Sequence, residues 1–275
     1  MGGSVGGTAT GGTWSGGTGT WTNATNPSTA TYTAGASESG TVTLTLTTSG
    51  GACGTTTATK NITVNSRPTV TFTAQPGASA CANTDVTYTT QSGQSNYVWT
   101  VPGVLNTDYS ITSGGIGTSS NTVTLRWLTT GSKTVSVNYT NASGCSAASA
   151  TSSTATTVNA RPTVTFTAQA GASACTNTNV TYTTQSGQSN YVWGVPGVLN
   201  TDYTIISGGI GTSSNTVTLR WLTTGSKTVT INYNNASGCS ALSATSSTAT
   251  NVTGPTANAG TALTAICSGG TSAAM

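Results

Sequence analysis

Along most of the chain, apolar and hydroxyl-bearing residues alternate one for one. Val70, Phe72 and Ala74 are separated by threonines, and the same rhythm runs through Val86 and Tyr88, then Tyr97, Trp99 and Val101. It continues in Val123, Leu125 and Trp127 and in Val135, Val137 and Tyr139. A period of two places the apolar set on one face of an extended strand. Threonine, with its branched Cβ, suits the other, solvated face. These runs are short and are punctuated by SGQSN, PGVLN, SGGIG, TTGS and NASG. Strands spaced by about 8–12 residues between such turns predict an antiparallel β-sandwich, and no segment carries a helical period. Trp99 and Trp127 fall in phase with valine and leucine, so they are expected between the two sheets, with Trp193 and Trp221 repeating them.

The pattern repeats on a larger scale. Residues 67–160 recur as 161–254 with about 13 differences, mostly small swaps such as Val137 against Ile231. Two differences change character: Asp85 against Asn179 and Thr112 against Ile206. The carboxylate at 85 is therefore not shared by the two copies. Residues 1–64 carry a third, diverged pattern, GGTWSGGTGTWT then TVTLTLTT then TTTATKNITVN, which lacks a beginning. The tail PTANAGTALTAICSGGTSAAM reads like that beginning. The expected organisation is an incomplete sandwich at 1–64, complete ones at 65–160 and 161–253, and the first strand of a following module at 254–275. The chain is then a window on a longer array with a period of roughly 274 residues, and the first strand of its opening module comes from a preceding copy.

Composition removes most chemistry. Charged residues are 4% of the 275, histidine is absent, and the four acids Glu38, Asp85, Asp108 and Asp202 are scattered. A catalytic triad, an acid–base pair or a transition-metal site has almost nothing to be built from, so neither an enzyme nor a cofactor is expected. Calcium wants six to eight oxygens, several of them carboxylate, and one or two acids per module are too few. A net charge of +3 spread over the whole length gives no nucleic-acid footprint. No apolar run approaches the length of a membrane span. The glycine-rich GGTATGGTWSGGTG has no GK[ST] ending and reads as turns between short strands.

The runs YVWTVPG, GIGTSSNTVTLRW and GSKTVSVNYTNASGC resemble the PKD-like, immunoglobulin-like modules found in tandem in large secreted proteins of the Bacteroidota. The segments ICSGGTSAAM, GGTWSGGTGTW and TVTLTLTTSGGACG resemble another repeat of the same proteins, their giant gliding-motility adhesins among them. The resemblance implies export by the type 9 secretion system, display on the cell surface and no catalytic residues. The expected fold is all-β: tandem immunoglobulin-like (PKD-like) antiparallel sandwiches forming an extended rod.

Six cysteines in an exported, thinly cored chain point to disulfides. Pairing within modules would join Cys81 to Cys145 and Cys175 to Cys239. In an immunoglobulin-like strand order, however, each such pair lies at opposite ends of its module, roughly 36 Å apart along the axis. The Cα limit for a disulfide is about 7 Å. The same order brings Cys81 to Cys239 across a junction, with Cys53, Cys145, Cys175 and Cys267 bonded to neighbouring array copies. Cross-junction bonds, intramodular bonds and free thiols all remain open at this stage.

The remaining side chains each admit two readings. The four tryptophans of the long modules, and Trp14 and Trp21, could stack on sugars or fill cores. Arg126 and Arg220, on the outward phase, could bind an anionic polymer or lie along the sheet and make a local contact. The function expected is a stalk or filament segment of a cell-surface adhesin, a mechanical spacer for adhesion or gliding. Its partners are neighbouring modules of the same chain, with surface polysaccharide or other envelope proteins as candidates. The alternative is an array of carbohydrate-binding modules.

Overall fold

In the computed structural model, residues 1–116, 119–210, 213–258 and 268 are described. They contain no helix, and the chain divides into two compact units, Met1–Val158 and Asn159–Met275. The first unit opens with β1 (Gly11–Ser15), β2 (Thr20–Thr22), β3 (Thr31–Thr33), β4 (Gly40–Ser49) and β5 (Thr57–Val64). It continues with β6 (Phe72–Ala74), β7 (Ser79–Cys81), β8 (Asp85–Thr90), β9 (Ser95–Thr100) and β10 (Tyr109–Gly114). Next come β11 (Thr122–Trp127), β12 (Gly131–Lys133), β13 (Ser136–Thr140), β14 (Thr151–Ser152) and β15 (Thr156–Asn159). The second unit repeats this last set as β16 (Phe166–Ala168), β17 (Ser173–Cys175), β18 (Asn179–Thr184), β19 (Ser189–Gly194) and β20 (Tyr203–Gly208). It ends with β21 (Thr216–Trp221), β22 (Gly225–Lys227), β23 (Thr230–Asn234), β24 (Thr245–Ser246) and β25 (Thr250–Thr253).

The strand order defines the architecture. One sheet of the repeated module runs β10-β11-β8-β6; the other runs β9-β13-β14 and continues as β12-β15-β7. The second unit has the same orders. In immunoglobulin lettering these are D-E-B-A facing C-F-G, with the second half of the first strand crossing to lie beside G. β17 does so in parallel with β25, Cys175 opposite Thr253. The expected immunoglobulin-like sandwich is thus present, once in each unit.

β12 and β13 are two pieces of one strand, and so are β14 and β15; a side chain supplies the missing ladder bonds. The buried N–H of Val135 donates to Ser153 Oγ at 3.1 Å, and that hydroxyl donates to Thr154 O at 3.0 Å. Val229, Ser247 and Thr248 repeat the arrangement. The bulges of β10 and β20 fall at Thr112 and Ile206, and Gly114 and Gly208 end those strands with φ of 71° and 75°, where a Cβ would sit 2.1 and 2.0 Å from a facing threonine carbonyl.

Each sandwich closes over one apolar cluster. Tyr88, Val123, Leu125 and Trp127 project from one sheet, and Tyr97, Trp99, Val137 and Tyr139 from the other. Phe72 packs edge-on against Tyr88 at 6.2 Å and against Trp99 at 6.0 Å. Truncating one such aromatic to alanine costs about 3–5 kcal/mol.

Residues 1–64 form their own cluster, Trp14, Ala30, Val42, Leu44 and Leu46, against which Met1, Val5, Trp21 and Tyr32 pack. Here the sheet is β1-β4-β5, with a separate β2–β3 hairpin. The linker from this segment lies on the following module: Asn65 Nδ2 donates to Ser143 O, Arg67 to Ser146 O and Asn141 Nδ2 to Ser66 O. Of the expected first strand of a next module at 254–275, residues 259–267 and 269–275 lie outside the described residues.

Candidate functional site: side chains, loops and sulfurs

The tryptophans of the long modules are core residues. Trp99, Trp127, Trp193 and Trp221 are all buried, and the indole N–H groups of Trp99 and Trp193 donate to Ser120 O and Ser214 O at 3.0 Å. Trp14 is buried too, and Trp21 stacks on it with ring centroids 6.0 Å apart. Among the described residues no aromatic side chain is exposed; the exposed large apolar ones are valine, leucine and isoleucine. Tyr88 OH and Trp127 Nε1, with their repeats Tyr182 OH and Trp221 Nε1, are buried without a hydrogen-bond partner. Burial pushes the phenol pKa of Tyr88 and Tyr182 up.

The carboxylates act on the backbone. Asp108 Oδ2 accepts from Val104 N at 2.8 Å, its Oδ1 accepts from Thr129 Oγ1 at 3.2 Å, and Lys133 Nζ reaches Thr129 Oγ1 at 2.9 Å. The same ammonium sits 5.4 Å from the centroid of the Trp127 ring, a cation–π contact. Asp202, Thr223, Lys227 and Trp221 repeat this clamp. The Val198 N–H, before all other causes, holds the Asp202 carboxyl below the usual range. Each clamp fixes a PGVLN loop with its Val–Leu pair, 104–105 or 198–199, exposed to solvent.

Asp85 pairs with Arg126 across the β8–β11 ladder at 2.7 Å, the expected local contact of that arginine. In the sister module Arg220 donates to Asn179 Oδ1 at 3.1 Å, so the Asp-to-Asn change keeps the hydrogen bond and drops the charge. Glu38 accepts from Thr18 N, Gly35 N and Tyr32 OH; these bonds, the Tyr32 one foremost, hold its carboxyl low, while burial and Glu38 push the Tyr32 phenol up. Among the described residues no cluster of three or more His, Cys, Asp or Glu side chains could hold a metal. Nor is any helix there long and apolar enough to cross a membrane.

One open groove of about 410 Å³ lies on the outer face of β19 and β23, bordered by Asn190, Val192, Gly194, Thr230 and Asn232. Val192 is 58% exposed, as its repeat Val98 is at 52%. The two modules differ here: Thr100 faces Ser136 in one, Gly194 faces Thr230 in the other.

The two cysteines of each long module sit at its opposite ends. Cys239 belongs to the NASGC turn, closed by Asn235 N to Cys239 O and by Cys239 N to Asn235 Oδ1, and Asn235 Nδ2 ties that turn to Ala160 at the module's entrance. Cys175 ends β17, beside Thr253 at the exit. Likewise Cys145 Sγ lies 3.7 Å from Asn65 O at the entrance of the preceding module, where the Cys145 turn repeats that of Cys239. Cys81 is in a disulfide, as is Cys239, whereas Cys53, Cys145 and Cys175 carry free thiols. Neither intramodular pair, Cys81 with Cys145 or Cys175 with Cys239, is formed, and the separation of the module ends is the reason. Cys267 lies outside the described residues.

Sequence signals pointed to the tryptophans, the outward arginines and the end-to-end placement of the cysteines. They did not reveal the Asp–Thr–Lys–Trp clamp, whose members are 21 and 4 residues apart in sequence and meet only when the sandwich closes.

No family model matches the chain, and no curated protein does. Solved structures that are similar include fibronectin(III)-like modules of Clostridium thermocellum CbhA, at 14% identity over 68% of this chain and 95% of that one, with a TM-score of 0.34. The I9–I11 tandem of titin is 10% identical over 90% of each chain, TM-score 0.34. FdeC, an Escherichia coli adhesin, is 16% identical over 88% of this chain and 82% of its own, TM-score 0.34. Scores this low carry no argument about function. The strand order alone establishes what the chain is built from: tandem immunoglobulin-like β-sandwiches.

Proposed function

We propose that this chain is a structural repeat segment, a stalk or filament portion, of a very large cell-surface adhesin. The supporting observation is the use made of its chemistry-bearing side chains. Tryptophans fill cores, Asp108 and Asp202 clamp loops, Asp85 staples a ladder, and two sulfurs are oxidised. Such a chain resists deformation and leaves an outer surface of hydroxyls and isolated aliphatic groups. Oxidised cysteines belong to extracellular or otherwise oxidising compartments. The proposal includes a disulfide from Cys81 to Cys239 across consecutive modules, which would remove the hinge freedom that small interfaces allow. Gliding-type adhesins of the Bacteroidota, exported by the type 9 system, are the specific setting proposed, on the resemblance of the YVWTVPG and NASGC runs.

The experiment pairs a glycan array with single-molecule stretching of the 275-residue chain. A stalk gives no glycan binding and stepwise mechanical unfolding at forces well above those of an unfolded chain. Specific, saturable binding to one polysaccharide would replace the stalk reading with the binding-module one.

A further inference from the structure

In both long modules the last strand has a neighbour on its outer edge: β7 lies beside β15, and β17 runs parallel to β25. That neighbour ends in a cysteine, Cys81 or Cys175. In the opening segment the corresponding strand is β5, since its Val64-Asn65 ending aligns with Val158-Asn159. β5 is the terminal strand of its sheet among the described residues. At the aligned positions Ile62 and Val64 of β5 are only half-buried, whereas Thr156 and Val158 of β15 are buried. An open edge of this kind is a template for an added strand.

We propose that the free edge of β5 receives a second copy of the segment 254–275, added as a short parallel strand and locked by a disulfide between its Cys267 and Cys145. Three observations converge on this occupant. First, the segment has the right sequence: Pro255 precedes Cys267 by 12 residues, as Pro68 precedes Cys81 and Pro162 precedes Cys175 by 13. Second, the register is set by the sister module. Cys175 stands opposite Thr253, whose counterpart here is Asn65, and Cys145 Sγ lies 3.7 Å from Asn65 O. Adjacent strands are about 4.8 Å apart, so a cysteine opposite Asn65 comes within disulfide reach of Cys145. Third, the oxidation states fit. Cys239, the counterpart of Cys145, and Cys81, a counterpart of Cys267, are both disulfide-bonded, while Cys145 is free.

Closing the bond requires an oxidant, here a small-molecule disulfide such as oxidised glutathione. One cysteine thiolate attacks it and expels a glutathione thiolate; the second attacks the mixed disulfide and expels the other. Two protein thiols lose two protons and two electrons, and one glutathione disulfide becomes two thiols. The inference rests on the repeat-array reading, yet it can fail while the stalk stands.

The test mixes ¹⁴N- and ¹⁵N-labelled 275-residue chains, oxidises them with glutathione and maps linked peptides by mass spectrometry. The expected product is a mixed-isotope Cys145–Cys267 peptide together with a ladder of oligomers that Cys145→Ser abolishes. In a second arm a synthetic 254–275 peptide, added to the reduced chain, slows amide exchange along β5 at least tenfold, and a scrambled peptide does not. The proposal is overturned if Cys145 and Cys267 are recovered as thiols, if the pair forms only within one chain, or if both peptides protect β5 equally. Any of these, alongside unaltered mechanical unfolding, removes the docking site and leaves the stalk.

Discussion

The facing pair on β19 and β23 can be rewritten into its counterpart from the sister module. A Cβ built on Gly194 would lie 2.3 Å from Thr230 Oγ1, so Gly194→Thr alone overpacks the site. Overpacking costs about 1–3 kcal/mol. Against it stands the gain from replacing a strand glycine by a β-branched residue, about 1 kcal/mol, partly through the unfolded chain. The single variant is therefore expected to lose about 1 kcal/mol. Adding Thr230→Ser recreates the Thr100/Ser136 pair and removes the clash. The double variant is expected to be about 1 kcal/mol more stable than the parent, about 2 kcal/mol better than the single one. Because the chain holds several cores, a global melt is the wrong measure. Hydrogen exchange at the amides of β19 and β23 reads the local free energy, about fivefold faster in the single variant and fivefold slower in the double. Ser136→Thr in the other module should reproduce the clash against Thr100. Equal exchange in the single and double variants would refute the reasoning.

Three further outcomes are expected. Tyr88→Phe and Tyr182→Phe remove buried hydroxyls that lack partners, so amide-exchange protection of β8 and β18 should hold or rise by the equivalent of up to about 1 kcal/mol; a clear loss would show that those hydroxyls are bonded. Glu38 has a folded pKa below its unfolded one, so its contribution is present above the unfolded value, near 4.3, and is lost as the pH falls through the folded value. Protection of the Thr18 and Gly35 amides, taken relative to their intrinsic exchange at each pH, should fall over that acid window and show no such step in Glu38→Gln. Finally, a Cys81–Cys239 bond hides the 157 residues between them from stretching, so reductant should release about 550 Å of extra contour length at about 3.5 Å per residue, a step absent in Cys81→Ser.

Much of the sandwich was legible because it depends on a period of two. Val123, Leu125 and Trp127 point inward wherever their strand pairs, and every alternate threonine follows. The cysteine geometry was legible for the same reason: strand order alone puts Cys81 and Cys145 at opposite ends. The split of the sixth strand into β12 and β13 was not, since Val135 keeps its apolar phase through the break and only the Ser153 hydroxyl betrays it. The groove at Gly194 was equally hidden, because its cause is a pair of substitutions, Thr100/Ser136 to Gly194/Thr230, that lie 36 residues apart and meet across a ladder. The open edge of β5 needed the sheet order, which places β5 at the end of β1-β4-β5 among the described residues.

Asp85 and Arg126 form an ion pair, and in the sister module the Arg220 cation bonds an uncharged Asn179 amide instead. Counter-ions therefore find few charged groups to screen. With charged residues at 4% of the chain, local stability should change little between fresh water and brine.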